Sequence, residues 1–177
     1  MDDLSFDVEL CWSQAGAHGA GALQTNDLTL EISGPASMGG LGVGASPEEL
    51  LVSAVSSCYV ATLFGVLRGA RLPVDSLAVS AKGTVMGFPG HARFARIVVS
   101  PMVLGGDSDR REEYQSAASA AHDRCFIGRA LAPEVAYEVS PVRMQEDAPP
   151  PPVAERAVDR SASGGLTSEP ADRSLAW

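Results

Sequence analysis

Apolar and polar residues alternate along two early segments of the chain, residues 6–12 and 28–32. A period of two places successive side chains on opposite faces of a strand, so each segment predicts a half-buried β-strand. The glycine-rich stretch 16–21 predicts the turn between them. A second alternation, over residues 77–81 and less strictly 94–99, flanks Gly87-Phe-Pro-Gly90 and predicts a hairpin.

A long helix is predicted from Ser46 to Gly69. Ser46 can cap its start, Pro47 suits the first helical position, and Glu49 completes a Ser-x-x-Glu capping box. The run from residue 50 to 67 is almost continuously apolar, so we expect this helix to be buried on most sides.

Further elements are predicted towards the C-terminus. Residues 107–122 predict a second helix, with Asp109 and Glu112 as a capping box. A short helix at 126–131 and a strand at 135–139 come next. The mixture of hairpins and helices indicates an α+β fold.

The composition changes after Met144. Residues 149–152 are four consecutive prolines, and Ser, Ala, Gly and charged residues dominate the rest of the chain. Such segments bury too little apolar surface to offset the entropy of ordering. We therefore predict one domain at residues 1–145 and a disordered tail at 146–177.

Composition excludes several classes of function. The 177 residues are 45% apolar, enough for one core, and we expect no transmembrane helix because no continuous run of about 18 apolar residues occurs. The acidic start is unlike a secretory signal, which predicts a cytoplasmic protein. A net charge of −9 argues against a nucleic-acid partner. No zinc spacing or cofactor motif occurs, so no cofactor is expected.

Two cysteines carry the chemistry that the residues themselves suggest. Cys58 lies in the long helix and Cys125 precedes the short one. Two thiols in an intracellular chain are a candidate redox couple, in which one attacks and the other closes a disulfide. The plain alternative is that a cysteine in an apolar helix is a small buried hydrophobe. Cys11 is expected to be structural, inside a strand and without exposure.

The chain resembles the OsmC/Ohr family of organic hydroperoxide reductases across residues 4–144. The similarity rests on Pro47-Glu-Glu-Leu-Leu before Cys58, on Pro35 and Gly39-Gly, on the Cys-x-x-x-x-Ala-Leu pattern at Cys125, and on the order of elements. The resemblance implies an OsmC-like fold in which antiparallel sheets wrap around central helices of an intertwined homodimer.

The resemblance also implies an activity. Cys58 corresponds to the peroxidatic cysteine that reduces an organic hydroperoxide, and Cys125 to the cysteine that resolves the sulfenic acid. A lipoyl-type dithiol is the implied reductant. Glu48 matches the carboxylate that fixes an activating arginine, although on a straight helix it lies about 15 Å from Cys58. A kink or the second subunit would have to bring it to the thiol; otherwise Glu48 is a helix-start charge.

The activating arginine is missing, because Ala17 stands at its aligned position. Three alternatives remain open: His18 substitutes as the cation, Arg124 or Arg129 approaches the thiols, or peroxidase activity is weak or lost. In the last case the chain would be a non-enzymatic OsmC-like protein that binds a hydrophobic ligand.

The family's peroxide pocket is apolar. Tyr59, Leu63 and Phe126 are therefore expected to line it. His122 shows no pattern that would give it a partner.

Overall fold

The computed structural model describes residues 3–13 and 18–145. In this part of the chain the elements are β1 (Glu9–Ser13), β2 (Ala20–Gln24), β3 (Thr29–Ser33), α1 (Pro47–Gly69), β4 (Ser76–Met86), β5 (Arg93–Leu104), α2 (Arg111–Arg124), α3 (Phe126–Leu131), β6 (Ala136–Val139) and β7 (Arg143–Gln145). The predicted α+β class is confirmed. The predictions for Ala17 and for the tail at 146–177 lie outside the described residues.

The capping box predicted for α1 is present. The Ser46 hydroxyl accepts a hydrogen bond from the Glu49 N–H at 3.2 Å, and the Glu49 carboxylate accepts one from the Ser46 N–H at 2.8 Å. Pro47 occupies the first turn, where its missing N–H costs nothing. A cap of this kind stabilises a helix by about 1 kcal/mol. It sets the start of α1, which leaves Glu48 in the first turn.

One stripe of α1 is buried, so the expectation of burial on most sides is wrong for the single chain. Val55, Tyr59, Leu63 and Leu67 recur every fourth residue and are fully buried. The other faces are half-buried or exposed, and Phe64 is 45% exposed. The reason is that α2, α3 and the β4–β5 hairpin supply the main packing contacts of α1 and cover it only in part.

Helix α1 is also long and apolar enough to cross a membrane, judged by length and composition, although no such segment was expected from the sequence. The serines and threonine inside the helix interrupt its apolar run without lowering the average hydropathy below the range of a spanning helix. Core helices of folded domains have the same property.

The predicted hairpin is formed by β4 and β5, which pair in antiparallel fashion from Ser76↔Leu104 to Met86↔Arg93. Strand β6 then lies parallel to β5, with Ile97 opposite Tyr137. The three-residue strand β7 also pairs with β5 and was not predicted, because it is too short to show a period. This sheet packs on α1 and carries Tyr137 towards the helices.

The other sheet contains β1, β2 and β3, which pair in antiparallel fashion and have two unlike faces. The register aligns Leu10 with Leu23 and Leu23 with Leu30, so three leucines share one face. Cys11 and Glu31 lie on the other face. The leucine face is poorly covered, and Leu10 remains 54% exposed.

Strand β2 was not predicted as a strand. Its sequence, Ala-Gly-Ala-Leu-Gln, begins inside the glycine-rich stretch 16–21 and has one large apolar residue. Gly21 is required there, because a Cβ atom would collide with the backbone of Cys11 on β1.

The predicted capping box at Asp109 and Glu112 is wrong. The Asp107 carboxylate instead accepts from the Asp109 N–H at 3.0 Å and caps a single 3₁₀ turn that precedes α2. Arg110 then occupies the N-cap position of α2 without a side-chain cap, and its guanidinium pairs with Glu113. The proposed domain limit at residue 145 coincides with the last residue of β7 and stays a prediction.

Candidate functional site

Cys58 and Cys125 are brought together although they are far apart in sequence. Cys125 lies at the junction of α2 and α3, and both helices pack on α1 near Cys58. The Cys125 Sγ–H points to the Val55 carbonyl oxygen at 3.9 Å, and the sulfur accepts from the Gly128 N–H at 3.5 Å. Both cysteines are free; Cys125 is fully buried and Cys58 is half-buried.

The two thiols interact directly. Burial is the largest cause of a raised pKa at Cys125, and the Gly128 N–H opposes it by favouring the thiolate. Hydrogen bonding and charge interaction with Cys58 raise the pKa further, whereas the Tyr137 hydroxyl lowers it. Buried Cys125 is therefore protonated at neutral pH, and the half-buried Cys58 is the thiol with access to solvent.

Two tyrosines accompany the thiols. The Tyr59 hydroxyl donates to the Ala118 carbonyl oxygen at 3.4 Å. Burial, and secondarily Cys125, raises the pKa of Tyr59 above its ordinary value. Burial is also the first cause of a raised pKa at Tyr137, followed by its interactions with Cys125. Both phenols therefore keep their protons at neutral pH.

The Tyr137 hydroxyl differs from that of Tyr59 in its hydrogen bonding. It is buried and makes no hydrogen bond of ordinary geometry within the described residues. It nonetheless faces Cys125 closely enough for each group to perturb the pKa of the other. The two groups are therefore neighbours whose geometry falls short of a formed hydrogen bond.

Two residues, His122 and Gly128, hold the Tyr137 ring in this orientation. The His122 ring stacks on it, with centroids 4.6 Å apart and planes inclined by 21°. His122 Nε2 lies 3.1 Å from the Tyr137 carbonyl oxygen, which can only accept, so Nε2 carries the hydrogen. On α3, Gly128 leaves space for the ring, because a Cβ at this position would overlap Cε1 of Tyr137.

Glu48 lies away from the two thiols. No hydrogen bond or ion pair joins it to either thiol in the described part of the chain, and it lines a cleft of about 420 Å³ with Val52, Lys82 and Phe94 among others. One carboxylate oxygen of Glu48 is buried and has no hydrogen-bond partner among the described residues. The first turn of α1 thus points this carboxylate towards the β4–β5 hairpin and away from Cys58.

None of the candidate cations pairs with a thiol within residues 3–13 and 18–145. Arg124 and Arg129 are exposed, and neither contributes to the pKa of Cys125, so the hypothesis that they activate this thiol is not supported. His18 is exposed on the turn before β2. Among the described residues, the groups that lower the pKa of Cys125 are neutral ones, the Gly128 N–H and the Tyr137 hydroxyl.

The residues expected to line an apolar pocket are dispersed. Tyr59 faces Cys125, but Leu63 is wholly buried in the core. Phe126 is 69% exposed. Cys11 is exposed, which corrects the expectation that a strand interior would hide it: its strand lies in the thin N-terminal sheet, and its side chain occupies the more polar face.

Sequence reasoning missed Tyr137, Gly128 and the contacts of His122. One signal for Tyr137 was available: Val135, Tyr137 and Val139 alternate in the last predicted strand, which places the tyrosine on the inward face. A buried tyrosine usually has a partner for its hydroxyl. No local pattern pairs Gly128 with a residue nine positions later, because only the parallel placement of β6 beside β5 brings them together.

The antiparallel N-terminal sheet, the mixed sheet packed on α1 and the two neighbouring free thiols together define a known class of protein. The family model for OsmC-like protein matches residues 39–140, and the chain belongs to this family. The uncharacterized protein YmaD of Bacillus subtilis is 26% identical over 134 residues, which are 74% of this chain and 89% of that protein.

Solved structures share the fold. An OsmC-like protein of unknown function from Vibrio cholerae superposes with a TM-score of 0.66 at 18% identity, over 79% of this chain and 99% of its own. An organic hydroperoxide resistance protein OsmC from Legionella pneumophila gives 0.64 at 17% identity, over 80% and 99%. An organic hydroperoxide resistance protein from Elizabethkingia anophelis gives a TM-score of 0.60 at 18% identity, over 83% of this chain and 100% of its own.

Proposed function

We propose that this chain is a thiol peroxidase that reduces organic hydroperoxides and protects the cell against oxidative stress. The observation that carries the proposal is the contact between two free thiols, of which Cys58 is half-buried and Cys125 is fully buried. A half-buried thiol is accessible to a peroxide, and a buried neighbour protects the oxidised product from further oxidation. Membership of the OsmC-like family and the names of the Legionella and Elizabethkingia proteins support the same chemistry.

The proposed reaction has three steps. The Cys58 thiolate attacks the outer oxygen of ROOH, the O–O bond breaks, and Cys58 becomes a sulfenic acid while the alkoxide takes a proton to leave as ROH. The Cys125 thiolate attacks the Cys58 sulfur, an S–S bond forms, and hydroxide leaves as water after protonation. A lipoyl-type dithiol then reduces the disulfide by thiol–disulfide exchange and becomes the oxidised partner.

Glu48 is proposed as the carboxylate that orients a donor at the site. Its buried, unpartnered oxygen supports this role, because a buried carboxylate oxygen is costly unless it accepts a hydrogen bond. Because about 15 Å of helix separates Glu48 from Cys58 within one chain, the proposal places this donor on a second copy of the chain. Glu48 is accordingly a positioning residue in this proposal.

A homodimer is part of the same proposal. The leucine face of the N-terminal sheet, formed by Leu10, Leu23 and Leu30, and the uncovered faces of α1 leave apolar surface in contact with water. Such a patch on a small domain commonly marks an interface. The cytoplasmic location expected from the sequence stays a prediction.

A second function has its own supporting observation. The cleft beside Glu48 has a volume of about 420 Å³ and apolar walls that include Val52, Val85 and Phe94. Without a cation at the thiols, a non-enzymatic OsmC-like protein could use this cleft to bind a hydrophobic ligand with a polar group near the carboxylate.

The two functions are separated by stopped-flow turnover of cumene hydroperoxide and hydrogen peroxide with dihydrolipoamide as reductant. The peroxidase proposal expects saturable consumption that favours cumene hydroperoxide and is lost in Cys58→Ser. Equal slow rates for wild type and Cys58→Ser would contradict it. In that case saturable binding of a fluorescent fatty acid, weakened by Val52→Asp, would support the ligand-binding alternative.

A further inference from the structure

The Tyr137 hydroxyl is the one buried side-chain hydroxyl without a hydrogen bond in the described residues. Buried hydroxyl groups are nearly always bonded, because an unpaired one loses its bond to water and gains nothing. The tyrosine on the other side of the thiols, Tyr59, follows this rule through Ala118. The unpaired hydroxyl of Tyr137 therefore points to a hydrogen-bond acceptor that becomes available when the protein functions.

The surroundings fix where that acceptor would be. The Tyr137 ring is held between the stacked ring of His122 and the bare Cα of Gly128. The N–H of the same Gly128 points to the Cys125 sulfur at 3.5 Å. Ring and sulfur thus contact one glycine, and the hydroxyl faces the sulfur.

The Cys125 sulfur lacks a strong donor for its anionic form. Its surroundings within the described chain provide one long N–H contact, no cation and complete burial, and the balance favours the neutral thiol. The resolving step nevertheless needs the thiolate. A phenol that stays protonated while the thiol ionises is a suitable donor, and charge-assisted O–H bonds are stronger than neutral ones.

We propose that the Tyr137 hydroxyl donates a hydrogen bond to the Cys125 sulfur as it becomes a thiolate, and so supplies from a neutral side chain part of the stabilisation that a cation would give. The inference rests on the proposed peroxidase cycle for its purpose. The tyrosine keeps its proton throughout.

The effect acts on two steps of that cycle. When the Cys125 thiolate attacks the Cys58 sulfenic acid, Tyr137 raises the population of the attacking anion, and the oxygen of the sulfenic acid leaves as water. When a dithiol attacks the Cys58 sulfur of the disulfide, the S–S bond breaks and Cys125 departs as a thiolate. Tyr137 stabilises that leaving group. The first attack on peroxide by Cys58 is unaffected.

Few titratable groups of residues 3–13 and 18–145 lie around Cys125. Cys58 and Tyr59 face it from α1 and Tyr137 faces it from β6, while His122 of α2 lies against the Tyr137 ring. An experiment on Cys125 must therefore remove Cys58 first, because Cys58 contributes to the raised pKa of Cys125.

The test measures the pKa of Cys125 from the pH dependence of bimane alkylation in the double variant Cys11→Ser/Cys58→Ser, in which Cys125 is the remaining thiol, with and without Tyr137→Phe. Loss of a charge-assisted hydrogen bond should raise that pKa by about one, which is about tenfold less thiolate at a given pH. Tyr59→Phe is the matched control: it removes a neighbouring phenol that is bonded to Ala118, and should leave the alkylation profile unchanged. Equal profiles with and without the Tyr137→Phe substitution overturn the inference.

Gly128→Ala provides a second variant, because its methyl group would displace the Tyr137 ring. It should raise the Cys125 pKa when Tyr137 is present and change it much less in the Tyr137→Phe background. An equal change in both backgrounds would show that Gly128 acts independently and would contradict the inference.

The readout does not depend on peroxide turnover. A chain inactive towards hydroperoxides that still shows the Tyr137-dependent pKa would refute the proposed function and keep the hydrogen bond. An active chain without the pKa difference would support the proposed function and refute the hydrogen bond from Tyr137. In an active chain, single-turnover mixing should show disulfide formation slowed about tenfold by Tyr137→Phe and sulfenic acid formation unchanged.

Discussion

The Cys125 thiol donates to the carbonyl oxygen of Val55, one helical turn before Cys58 on α1. This contact ties the junction of α2 and α3 to the middle of α1 and sets the side of the helix on which the second thiol lies. Because Cys58 comes three residues after Val55, its side chain projects from nearly the same face. The thiol pair is thus a consequence of helix packing and needs no loop movement to form.

Oxidation with one equivalent of cumene hydroperoxide should join Cys58 to Cys125 within one chain. The physical reason is proximity: a sulfenic acid on Cys58 meets the buried thiol before any external one. Peptide mapping under non-reducing conditions checks this. Cys58→Ser should abolish peroxide consumption, and Cys125→Ser should allow one turnover with a sulfenic acid that dimedone traps.

Cys11 is the internal control for that experiment. It is exposed, so it is open to oxidation, but no thiol accompanies it in the described part of the chain. It should stay reduced under one equivalent of peroxide, because its reaction is slower than that of the coupled pair. A disulfide containing Cys11 would contradict the proposed pairing.

The elements that were predictable carry their signals locally. The α1 capping box, the β4–β5 hairpin and the short helix α3 are encoded by residues within a few positions of one another. Strand β7 is too short to show a period of two. Strand β2 shows no alternation because it has one large apolar residue and begins inside a glycine-rich stretch. The exposed faces of α1 could not be foreseen, since the apolar run is almost continuous and only tertiary packing decides which side is covered.

The site was predictable in part for the same reason. The two cysteines stand out through their flanking motifs. The residues around Cys125 have no such motifs. Gly128 matters because it lacks a Cβ atom at the place where the ring of Tyr137 packs. Tyr137 reaches this place only because β6 pairs in parallel with β5. The position of Glu48 depends on the first turn of α1 and on the hairpin packed against it.

Ala17→Arg should accelerate the first attack on peroxide. A guanidinium within about 4–6 Å of a thiol lowers its pKa by about one unit or more, which increases the thiolate at neutral pH by about tenfold. Stopped-flow oxidation of Cys58 in the Cys125→Ser background measures this step alone. Ala17→Gln, which adds length without charge, is the control. An arginine variant no faster than the glutamine variant would defeat this prediction.

The chain should form a homodimer that buries more than about 2,000 Å². Leu10→Asp should shift it towards monomer, because a carboxylate would have to be desolvated on the leucine face. Cys11→Asp is a matched control with the same charge on the neighbouring residue and on the opposite face of β1. Light scattering at micromolar concentration distinguishes the species. A wild-type monomer, or equal effects of the two variants, would count against the leucine face as the interface.

Truncation after Gln145 should leave the domain stable. The removed segment has few large apolar residues besides Trp177, so its composition predicts little burial. The cut must spare β7, because the Gly105 N–H donates to the Gln145 carbonyl oxygen at 3.3 Å. A fall in melting temperature above about 5 °C, which exceeds about 1 kcal/mol for a domain of this size, would show that the tail packs on the domain.

Alkaline pH should destabilise the fold through the acids buried at the site. Burial raises the pKa of Cys125, Tyr59 and Tyr137 above their ordinary values of 9.0 for cysteine and 10.0 for tyrosine. The folded chain therefore holds these protons more tightly than the unfolded chain. The stability that these protons contribute is complete below the ordinary pKa values and is lost as the pH rises towards the pKa values of the folded chain. The free energy of unfolding should therefore fall above about pH 9.

Urea denaturation between about pH 8 and 11 measures this free energy of unfolding. Because Tyr59→Phe removes one of these protons, its stability should fall less steeply than that of the wild type above about pH 10; parallel curves would show that ionisation of Tyr59 is not linked to unfolding.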